Sequence, residues 1–282
     1  MNVGIIGIGA MGMGVARALR NKGFVVAVRD IVPEREAEAL TLGCRVPGSA
    51  AAVARKSDVV ITLVVDAAQT RSVVAELRAY RGALLMCSTI APSDTEEIAA
   101  RTPLLDAPIS GGPSRAREGA LSMMASGPDE IFERCRPVID AMATKCFRIG
   151  PRAGDGSRMK VVNNMMAAAN LAAGCEALAM AMRLGLDARQ AVDVIGASSG
   201  GSWIFEDRMR RALEDDYAPR AAARVLLKDV GLFVHEARRL GLAAPMAECA
   251  REVFHDTVAR GYGEEDDAAV LKRYAAAWGT QP

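Results

Sequence analysis

Short apolar runs that alternate with amphipathic segments fill the first half of the chain, and this rhythm restricts the fold more than any other feature. The runs are VGIIGI (3–8), FVVAV (24–28), DVVITLVV (58–65), ALLMCST (83–89) and PLLDAP (103–108), followed by GALSMMASG (119–127) and KCFRIG (145–150). Apolar runs without polar alternation are typical of strands that helices cover on both faces. Helical patterns lie between the runs, near 10–22, 33–42, 68–79, 92–101 and 128–142. This order predicts an α/β fold with a doubly wound parallel sheet.

The strand pattern stops near residue 158, and the rest of the chain is helical in character. Helices are predicted at 159–184, 187–197, 203–213, 220–240, 245–260 and 265–277. A chain of 282 residues is long for one hydrophobic core. We therefore expect two domains, an N-terminal one over 1–158 and an all-α C-terminal one over 159–282. In the last predicted helix, the acidic run EEDD (264–267) is expected at the start, where negative charge suits the helix dipole.

The helix expected from Met159 carries apolar residues on every side, which is typical of a helix that is buried all round. At about 1.5 Å per residue it would be about 40 Å long, more than a modest helical domain covers alone. Part of its surface is therefore expected to meet the first domain or another subunit, and we expect a homodimer or homotetramer. A membrane span is not expected, because polar residues interrupt the helix. These residues are Lys160, Asn163, Asn164, Asn170 and Glu176.

Composition excludes several classes of function. Lys and Arg number 35 against 34 Asp and Glu, and no basic stripe stands out, so a nucleic-acid partner is not expected. The six cysteines are scattered without a CxxC pair, which favours reduced thiols and a cytoplasmic location. The two histidines, His235 and His255, have no neighbouring ligands in metal-binding spacing, so no metal site is predicted.

The segment GIGAMG carries glycines with the spacing of a dinucleotide-binding turn. Gly7, Gly9 and Gly12 come directly after the first predicted strand and open the first helix. Such glycines allow a tight turn, a close approach of backbone to a pyrophosphate, and close packing of helix on sheet. Glycines at this place can also serve as a plain joint between strand and helix. The position in the first βαβ unit nevertheless predicts a Rossmann-like dinucleotide-binding domain.

An acidic residue follows at the end of the second predicted strand. Asp30 lies 18 residues beyond Gly12, where a carboxylate can accept hydrogen bonds from a ribose diol. A carboxylate repels a 2′-phosphate, so NAD is the expected cofactor, although Arg29 and Arg35 leave room for NADP. In the alternative interpretation, Asp30 is a turn residue before Pro33.

Two further segments carry polar groups that could bind a carboxylate and a hydroxyl. In DAPISGG (106–112), Ser110 supplies a hydroxyl, and Gly111 and Gly112 can present backbone N–H groups to a carboxylate, unless the glycines only make a turn. Lys160 and Asn164 are four residues apart, so they share one helix face. There the lysine could exchange a proton with a substrate hydroxyl while the asparagine holds that hydroxyl. A lysine at a helix start could instead extend into water.

Five segments occur in the order and approximate spacing of the β-hydroxyacid dehydrogenases, a family that includes 3-hydroxyisobutyrate dehydrogenase and tartronate semialdehyde reductase. They are GIGAMG, CSTIAP, DAPISGG, GDGSRMKVVNN and LLKDVGL. The resemblance covers essentially the whole chain and implies a Rossmann domain followed by a helical domain for substrate binding and oligomerisation. It implies that Lys160 is the catalytic acid/base, that Asn164 orients the substrate, and that Ser110, Gly111 and Gly112 hold its carboxylate.

The resemblance also extends the set of expected cofactor contacts. Thr89 and Lys228 match residues that contact the nicotinamide end. Ala10 and Met11 lie in the glycine turn, and Val64 and Val65 stand close to where many members have a Leu-Pro dipeptide. With Gly7, Gly9, Gly12 and Asp30 they complete the expected cofactor site.

Three other segments resemble the L-threonate dehydrogenase branch, whose substrates are four-carbon sugar acids. They are SGGSWIFEDR (199–208), EDDYAP (214–219) and GYGEEDDAAVLKRY (261–274). Ser199, Ser202 and Trp203 are then expected near the additional substrate hydroxyls, although Trp203 could be a core residue at a helix start and Ser202 a helix cap. The expected protein is an NAD-dependent oxidoreductase of a small hydroxy acid. The alternatives are 3-hydroxyisobutyrate or tartronate semialdehyde chemistry and, in another class, a non-catalytic nucleotide sensor.

Overall fold

The computed structural model describes residues 1–275, and the chain divides into two compact units, Met1–Lys160 and a second unit that begins at Val161. The division falls inside one long helix. The assignment of cofactor binding to 1–158 and of substrate binding and oligomerisation to 159–282 remains a prediction.

The first unit is built on a mostly parallel sheet. Its strands are β1 (Asn2–Ile6), β2 (Val25–Arg29), β3 (Val59–Thr62), β4 (Ala83–Met86), β5 (Leu105–Asp106), β6 (Ile109–Ser110), β7 (Leu121–Ser126) and β8 (Ala143–Gly150). Strands β2, β1, β3, β4 and β5 run parallel in that spatial order, and β7 pairs antiparallel with β5 and β6 and parallel with β8. The chain therefore leaves β1 in one direction for β2 and returns to its other side as β3. Ligands of such sheets bind at this switch point, beyond the carboxyl ends of the strands.

Seven helices accompany the sheet. They are α1 (Ala10–Asn21), α2 (Pro33–Thr41), α3 (Ala50–Ala54), α4 (Ala67–Glu76), α5 (Pro92–Ala99), α6 (Gly112–Glu118) and α7 (Asp129–Met142). The predicted α/β class is confirmed, because apolar strand residues such as Ile5, Ile61 and Leu85 are fully buried. The sequence prediction missed α3, α6 and β6, since two to seven residues are too few to reveal a period.

The second unit is helical throughout the described part, 161–275. The long helix α8 (Asp155–Arg183) leads into it, followed by α9 (Ala188–Gly196), α10 (Trp203–Ala212), α11 (Ala223–Arg239), α12 (Pro245–Thr257), a π-helical turn (Val258–Tyr262), a 3-10 helix (Asp267–Leu271) and α13 (Lys272–Ala275). Its core is centred on Phe205 and Phe254. The helix predicted over 265–277 is thus a 3-10 helix joined to a short α-helix, and its residues 276–277 lie outside the described residues.

Helix α8 begins at Asp155, four residues earlier than predicted, and is not buried on every side. Met159, Val162, Met166 and Met180 are exposed, and their spacing places them on one helix face. Among the described residues, α8 alone is long and apolar enough to cross a membrane, with a mean hydropathy of 1.4 over its most apolar window. The core helix of a soluble protein passes the same test, so this property is weak evidence for a membrane span.

Candidate active site

The turn between β1 and α1 depends on glycine at two positions. Gly7 has a φ of +90°, and a side chain there would come within 2.5 Å of the Leu63 carbonyl oxygen. A Cβ on Gly12 would lie 2.2 Å from the Gly7 carbonyl oxygen, so α1 can approach the turn this closely only with glycine. At Gly9 the space is open except for the end of the Arg35 side chain. No side chain caps the start of α1, and its first N–H groups remain available for an anion.

The Asp30 carboxylate lies buried at the end of β2 and joins that strand to the glycine turn. One oxygen accepts the backbone N–H of Ile8 at 2.7 Å, and the other accepts the N–H of Val32 at 3.0 Å. The Arg35 guanidinium, which is half exposed, is 3.6 Å away. A carboxylate offers about four lone-pair positions, so these contacts leave capacity for a ribose hydroxyl.

The ends of β3 and β4 contribute the next predicted contacts. The Val64 N–H donates to the buried Ser88 hydroxyl at 3.0 Å, and a Cβ on Gly7 would lie 3.0 Å from the Val64 side chain. Val65 is exposed, and Thr89 is half-buried just beyond β4. The structure thus places these residues beyond the carboxyl ends of neighbouring parallel strands, on the side of the sheet where the glycine turn lies.

The segment after β5 combines a predicted carboxylate cradle with an anchor that the sequence analysis did not single out. Ser110, Gly111 and Gly112 are half-buried, and both glycines have positive φ values, +135° and +73°. Four residues before Ser110, the fully buried Asp106 carboxylate accepts hydrogen bonds from the N–H groups of Gly154 (2.9 Å) and Ser157 (2.8 Å). Burial raises the pKa of Asp106, although these hydrogen bonds act in the opposite direction.

Two hydroxyl groups complete this anchor. The Ser157 hydroxyl donates to Asp106 at 2.8 Å, and the Ser126 hydroxyl donates to Asp106 at 3.2 Å while accepting the Gly156 N–H at 2.8 Å. The first N–H groups of α8, which lack partners within the helix, therefore end on residues of β5 and β7. Lys160 lies three residues beyond Ser157 and is only 7% exposed.

In the second unit, a carboxylate links two of the predicted site residues. The Asn164 side-chain amide donates to Asp229 at 2.6 Å, and the Lys228 ammonium lies 2.7 Å from the other Asp229 oxygen. The Asn164 oxygen accepts from the Asn163 amide at 3.1 Å. Asp229 was missed because it stands beside Lys228 in LLKDVGL but 65 residues from Asn164, a separation that no sequence period reveals.

Ser202 and Trp203 lie at the start of α10. The Ser202 oxygen accepts the Phe205 N–H at 3.3 Å, so the hydroxyl serves as the helix N-cap, and its own proton remains available to donate. Trp203 is 47% exposed, with the Arg208 guanidinium 5.9 Å from its ring, and is therefore not a core residue. Across residues 1–275, no group of three or more histidine, cysteine or acidic side chains could hold a metal ion.

Comparison with known proteins agrees with this geometry. The NAD binding domain of 6-phosphogluconate dehydrogenase matches residues 2–150, and the NAD-binding domain of NADP-dependent 3-hydroxyisobutyrate dehydrogenase matches residues 154–274. An L-threonate dehydrogenase from Escherichia coli is 39% identical over 97% of this chain and 95% of its own.

Solved structures give the same result. A 3-hydroxyisobutyrate dehydrogenase from Salmonella typhimurium has a TM-score of 0.90 and 37% identity, covering 97% of this chain and 99% of that one. A 3-hydroxyisobutyrate dehydrogenase from Mycobacterium tuberculosis, determined with L-serine, has a TM-score of 0.84 and 30% identity, covering 96% and 98%. The predicted fold, cofactor class and family are confirmed: this chain belongs to the β-hydroxyacid dehydrogenases and is an NAD(P)-dependent oxidoreductase of hydroxy acids.

Proposed function

We propose that the chain is an NAD-dependent dehydrogenase of a four-carbon sugar acid of the L-threonate type, with Lys160 as the acid/base. The observation that carries the proposal is the burial of Lys160 one helical turn from Asn164, which is also buried and only 7% exposed. A buried amine beside a buried amide can meet a substrate hydroxyl away from bulk water, which suits proton exchange between the lysine and that hydroxyl. On α8 the spacing of four residues directs both side chains to one helix face.

In the oxidation direction, neutral Lys160 accepts the substrate hydroxyl proton at Nζ as the carbon–oxygen double bond forms. A bound nicotinamide cofactor would supply the redox chemistry, as the acceptor of the hydride from the same carbon. Ser110 and the backbone of Gly111 and Gly112 hold the substrate carboxylate. Asn164 donates to or accepts from the reacting hydroxyl. The chain therefore contributes orientation and a proton acceptor.

Asp229 restricts what Asn164 can do. Because one amide hydrogen of Asn164 is directed at Asp229, the amide group has a fixed orientation, which supports a positioning role toward the substrate. Lys228, held by the same carboxylate, is proposed to reach the nicotinamide end of the cofactor.

The residues at the switch point fit a dinucleotide. Open space at Gly9 and the uncapped start of α1 suit a pyrophosphate, and Asp30 suits the ribose diol. We assign Ala10 and Met11 to the pyrophosphate side, and Val64, Val65 and Thr89 to the neighbouring strand ends. Asp30 favours NAD over NADP, because its charge opposes a 2′-phosphate.

The start of α10 supports a polyhydroxy substrate. Ser202 can donate its proton while it caps the helix, and the exposed Trp203 provides a flat surface beside it. Substrates without the extra hydroxyls would leave such polar groups unpaired, and discrimination of this kind reaches about 10⁴-fold in favourable cases. The L-threonate dehydrogenases among the relatives, which are 35–39% identical, support the same substrate class. The Salmonella structure carries the name of a 3-hydroxyisobutyrate dehydrogenase, which keeps that acid as the alternative.

The test is a comparison of kcat/KM for L-threonate, D-erythronate and 3-hydroxyisobutyrate, measured by NADH absorbance with NAD⁺ and then by NADPH absorbance with NADP⁺. We expect a four-carbon sugar acid with NAD⁺ to be the best pair. Faster oxidation of 3-hydroxyisobutyrate would replace the substrate assignment. Cofactor binding without oxidation of any acid in a C3 to C6 panel would instead favour a nucleotide sensor.

The exposed apolar face of α8 supports a homodimer or homotetramer, since four large apolar side chains on one helix face are otherwise left in water. We also propose a soluble, cytoplasmic enzyme, as its scattered free thiols suggest.

A further inference from the structure

We propose that Asp106 is a positioning residue for the reaction, acting as the anchor that fixes the Lys160 end of α8 to the strand that leads into the Ser110–Gly112 segment. The inference rests on the proposed acid/base role of Lys160. Its structural half, however, can be tested without any substrate.

The anchor consists entirely of neutral donors around one carboxylate. Asp106 accepts from two backbone N–H groups, of Gly154 and Ser157, and from two hydroxyls, of Ser126 and Ser157. These contacts differ from the ion pair that Arg158 forms with Asp155 on the exposed side of α8, where both partners are charged. Backbone donors fix the path of the main chain, so this anchor sets the position of the helix start itself.

The hydroxyl of Ser157 extends the anchor to α5. Because Ser157 gives its proton to Asp106, Thr95 must be the donor in the 2.9 Å contact between the Thr95 and Ser157 hydroxyls. The backbone at Gly156 packs too closely on the neighbouring strands to admit a side chain. A Cβ there would lie 2.4 Å from the Met124 carbonyl oxygen and 2.8 Å from that of Asp106. The first turn of α8 is therefore held against β5 and β7, with no room for a side chain at position 156.

The anchor has a chemical consequence because of where it lies in the sequence. Ser110 follows Asp106 by four residues, and Lys160 follows Ser157 by three. Asp106 is thus linked to two parts of the proposed site. One is the segment proposed to hold the substrate carboxylate, and the other is the lysine proposed to exchange a proton with the substrate hydroxyl. A reacting group misplaced by about 1 Å can lose about 10²-fold in rate. A shift of the first turn of α8 would change kcat, whereas the glycine turn that binds the cofactor would be unaffected.

The main test is Asp106→Asn, which keeps the size but offers one acceptor oxygen and an NH₂ group to the four donors. We expect faster hydrogen–deuterium exchange in peptides covering 154–160, a loss of about 10- to 100-fold in kcat, and an NAD⁺ dissociation constant within about threefold of the wild type. Ser157→Ala, which removes a single hydroxyl, should show the same pattern with a smaller loss, in case Asp106→Asn folds poorly.

Val138→Ala, in the buried core of α7, serves as a control for general destabilisation. It should lower the melting temperature and leave both the exchange of 154–160 and kcat near wild type.

Each outcome decides the matter. Unchanged exchange at 154–160 in both variants overturns the anchor. If exchange at 154–160 becomes faster but kcat stays as high as in Val138→Ala, the positioning role is overturned. If the wild type oxidises no acid, the proposed function fails instead. The inference is then decided by the rate at which an amine-reactive ester modifies Lys160, read by mass spectrometry. We expect that rate to increase in Asp106→Asn and not in Val138→Ala, and equal rates would overturn the inference.

Discussion

The buried carboxylates of the two units are stabilised in different ways. In the first unit, Asp30 and Asp106 accept mainly backbone N–H groups and hydroxyls. In the second unit, Asp229 contacts the Lys228 ammonium, and Asp267 contacts the buried Arg208 guanidinium at 2.5 Å. Backbone N–H donors fix the position of the main chain. Because these donors are uncharged, the carboxylate keeps its negative charge. The buried pair of Arg208 and Asp267 joins two helices that lie far apart in sequence, and removing one partner leaves an uncompensated charge. The first arrangement suits a cofactor turn and a helix start, and the second suits the packing of separate helices.

The largest effect should come from the lysine that the Asp106 anchor holds. Lys160→Ala should lower kcat by about 10²- to 10⁴-fold, the usual contribution of general acid–base catalysis. Lys160→Arg should be similarly inactive, because a guanidinium keeps the charge but does not give up its proton at working pH. Steady-state kinetics and NAD⁺ titration measure both effects, and we expect cofactor affinity to be retained.

The control is Lys145→Ala, which removes an exposed lysine of β8 in the same unit and should keep wild-type turnover. Retention of more than about a tenth of wild-type turnover in Lys160→Ala would exclude the acid/base role. An active Lys160→Arg variant would mean that the positive charge, not proton transfer, is what matters.

The difference between the units also explains what could be predicted from sequence. The glycine turn, the five parallel strands of the sheet and Asp30 are local or periodic features, and the sequence indicated all of them. Asp106 was inside a quoted motif, but its partners Gly154 and Ser157 are about fifty residues away, so its anchoring role was not visible. Glu176 belongs to the long helix that the sequence predicts to be buried all round, but its side chain is exposed and accepts a hydrogen bond from the Tyr274 hydroxyl.

The acidic run EEDD shows the same limit. Its last residues, Asp266 and Asp267, do begin a helix as predicted, and Asp266 caps it through the Ala268 N–H. They are also buried against Arg208 and Arg211 of α10, which helix-dipole reasoning alone does not indicate. Contacts between helices that lie more than fifty residues apart in sequence require the fold itself.

The second prediction concerns these paired acids and the pH dependence of stability. Burial and the neighbouring Asp266 raise the pKa of Asp267 to about 7, although Arg208 acts against the increase. Between the ordinary value of 3.8 and about 7, the unfolded chain has released this proton while the folded chain keeps it. The folded state binds more protons there, so the contribution of Asp267 to stability falls as pH rises through this window.

Urea unfolding of wild type and Asp267→Asn across this range measures the effect. The free energy of unfolding of wild type minus that of the variant should decrease from pH 4 to about pH 7 and then level off. Asp266→Asn is the matched control. Burial alone would raise the pKa of Asp266, but the Arg220 N–H, Arg208 and Arg211 outweigh it and lower that pKa. The corresponding difference for Asp266 should therefore fall only as pH drops below 3.8, and a difference for Asp267 that rises with pH would contradict the assignment.

The smallest effect should come from Asp30, where the charge and the hydrogen bonds of one carboxylate can be separated. Asp30→Asn removes the negative charge but keeps an oxygen for the Ile8 or Val32 N–H, whereas Asp30→Ala removes the charge and leaves both N–H groups unpaired. If repulsion of a 2′-phosphate sets the preference for NAD, both variants should narrow the ratio of kcat/KM for NAD⁺ over NADP⁺ by about tenfold, equivalent to about 1.4 kcal/mol. The half-exposed Arg35, 3.6 Å from Asp30, is then free to meet the phosphate.

Asp30→Ala alone should also weaken binding of both cofactors, because it loosens the glycine turn. If the ratio of kcat/KM for NAD⁺ over NADP⁺ falls in Asp30→Ala but not in Asp30→Asn, the hydrogen bonds rather than the charge select the cofactor. A wild-type preference for NADP⁺ would remove Asp30 from the ribose site altogether.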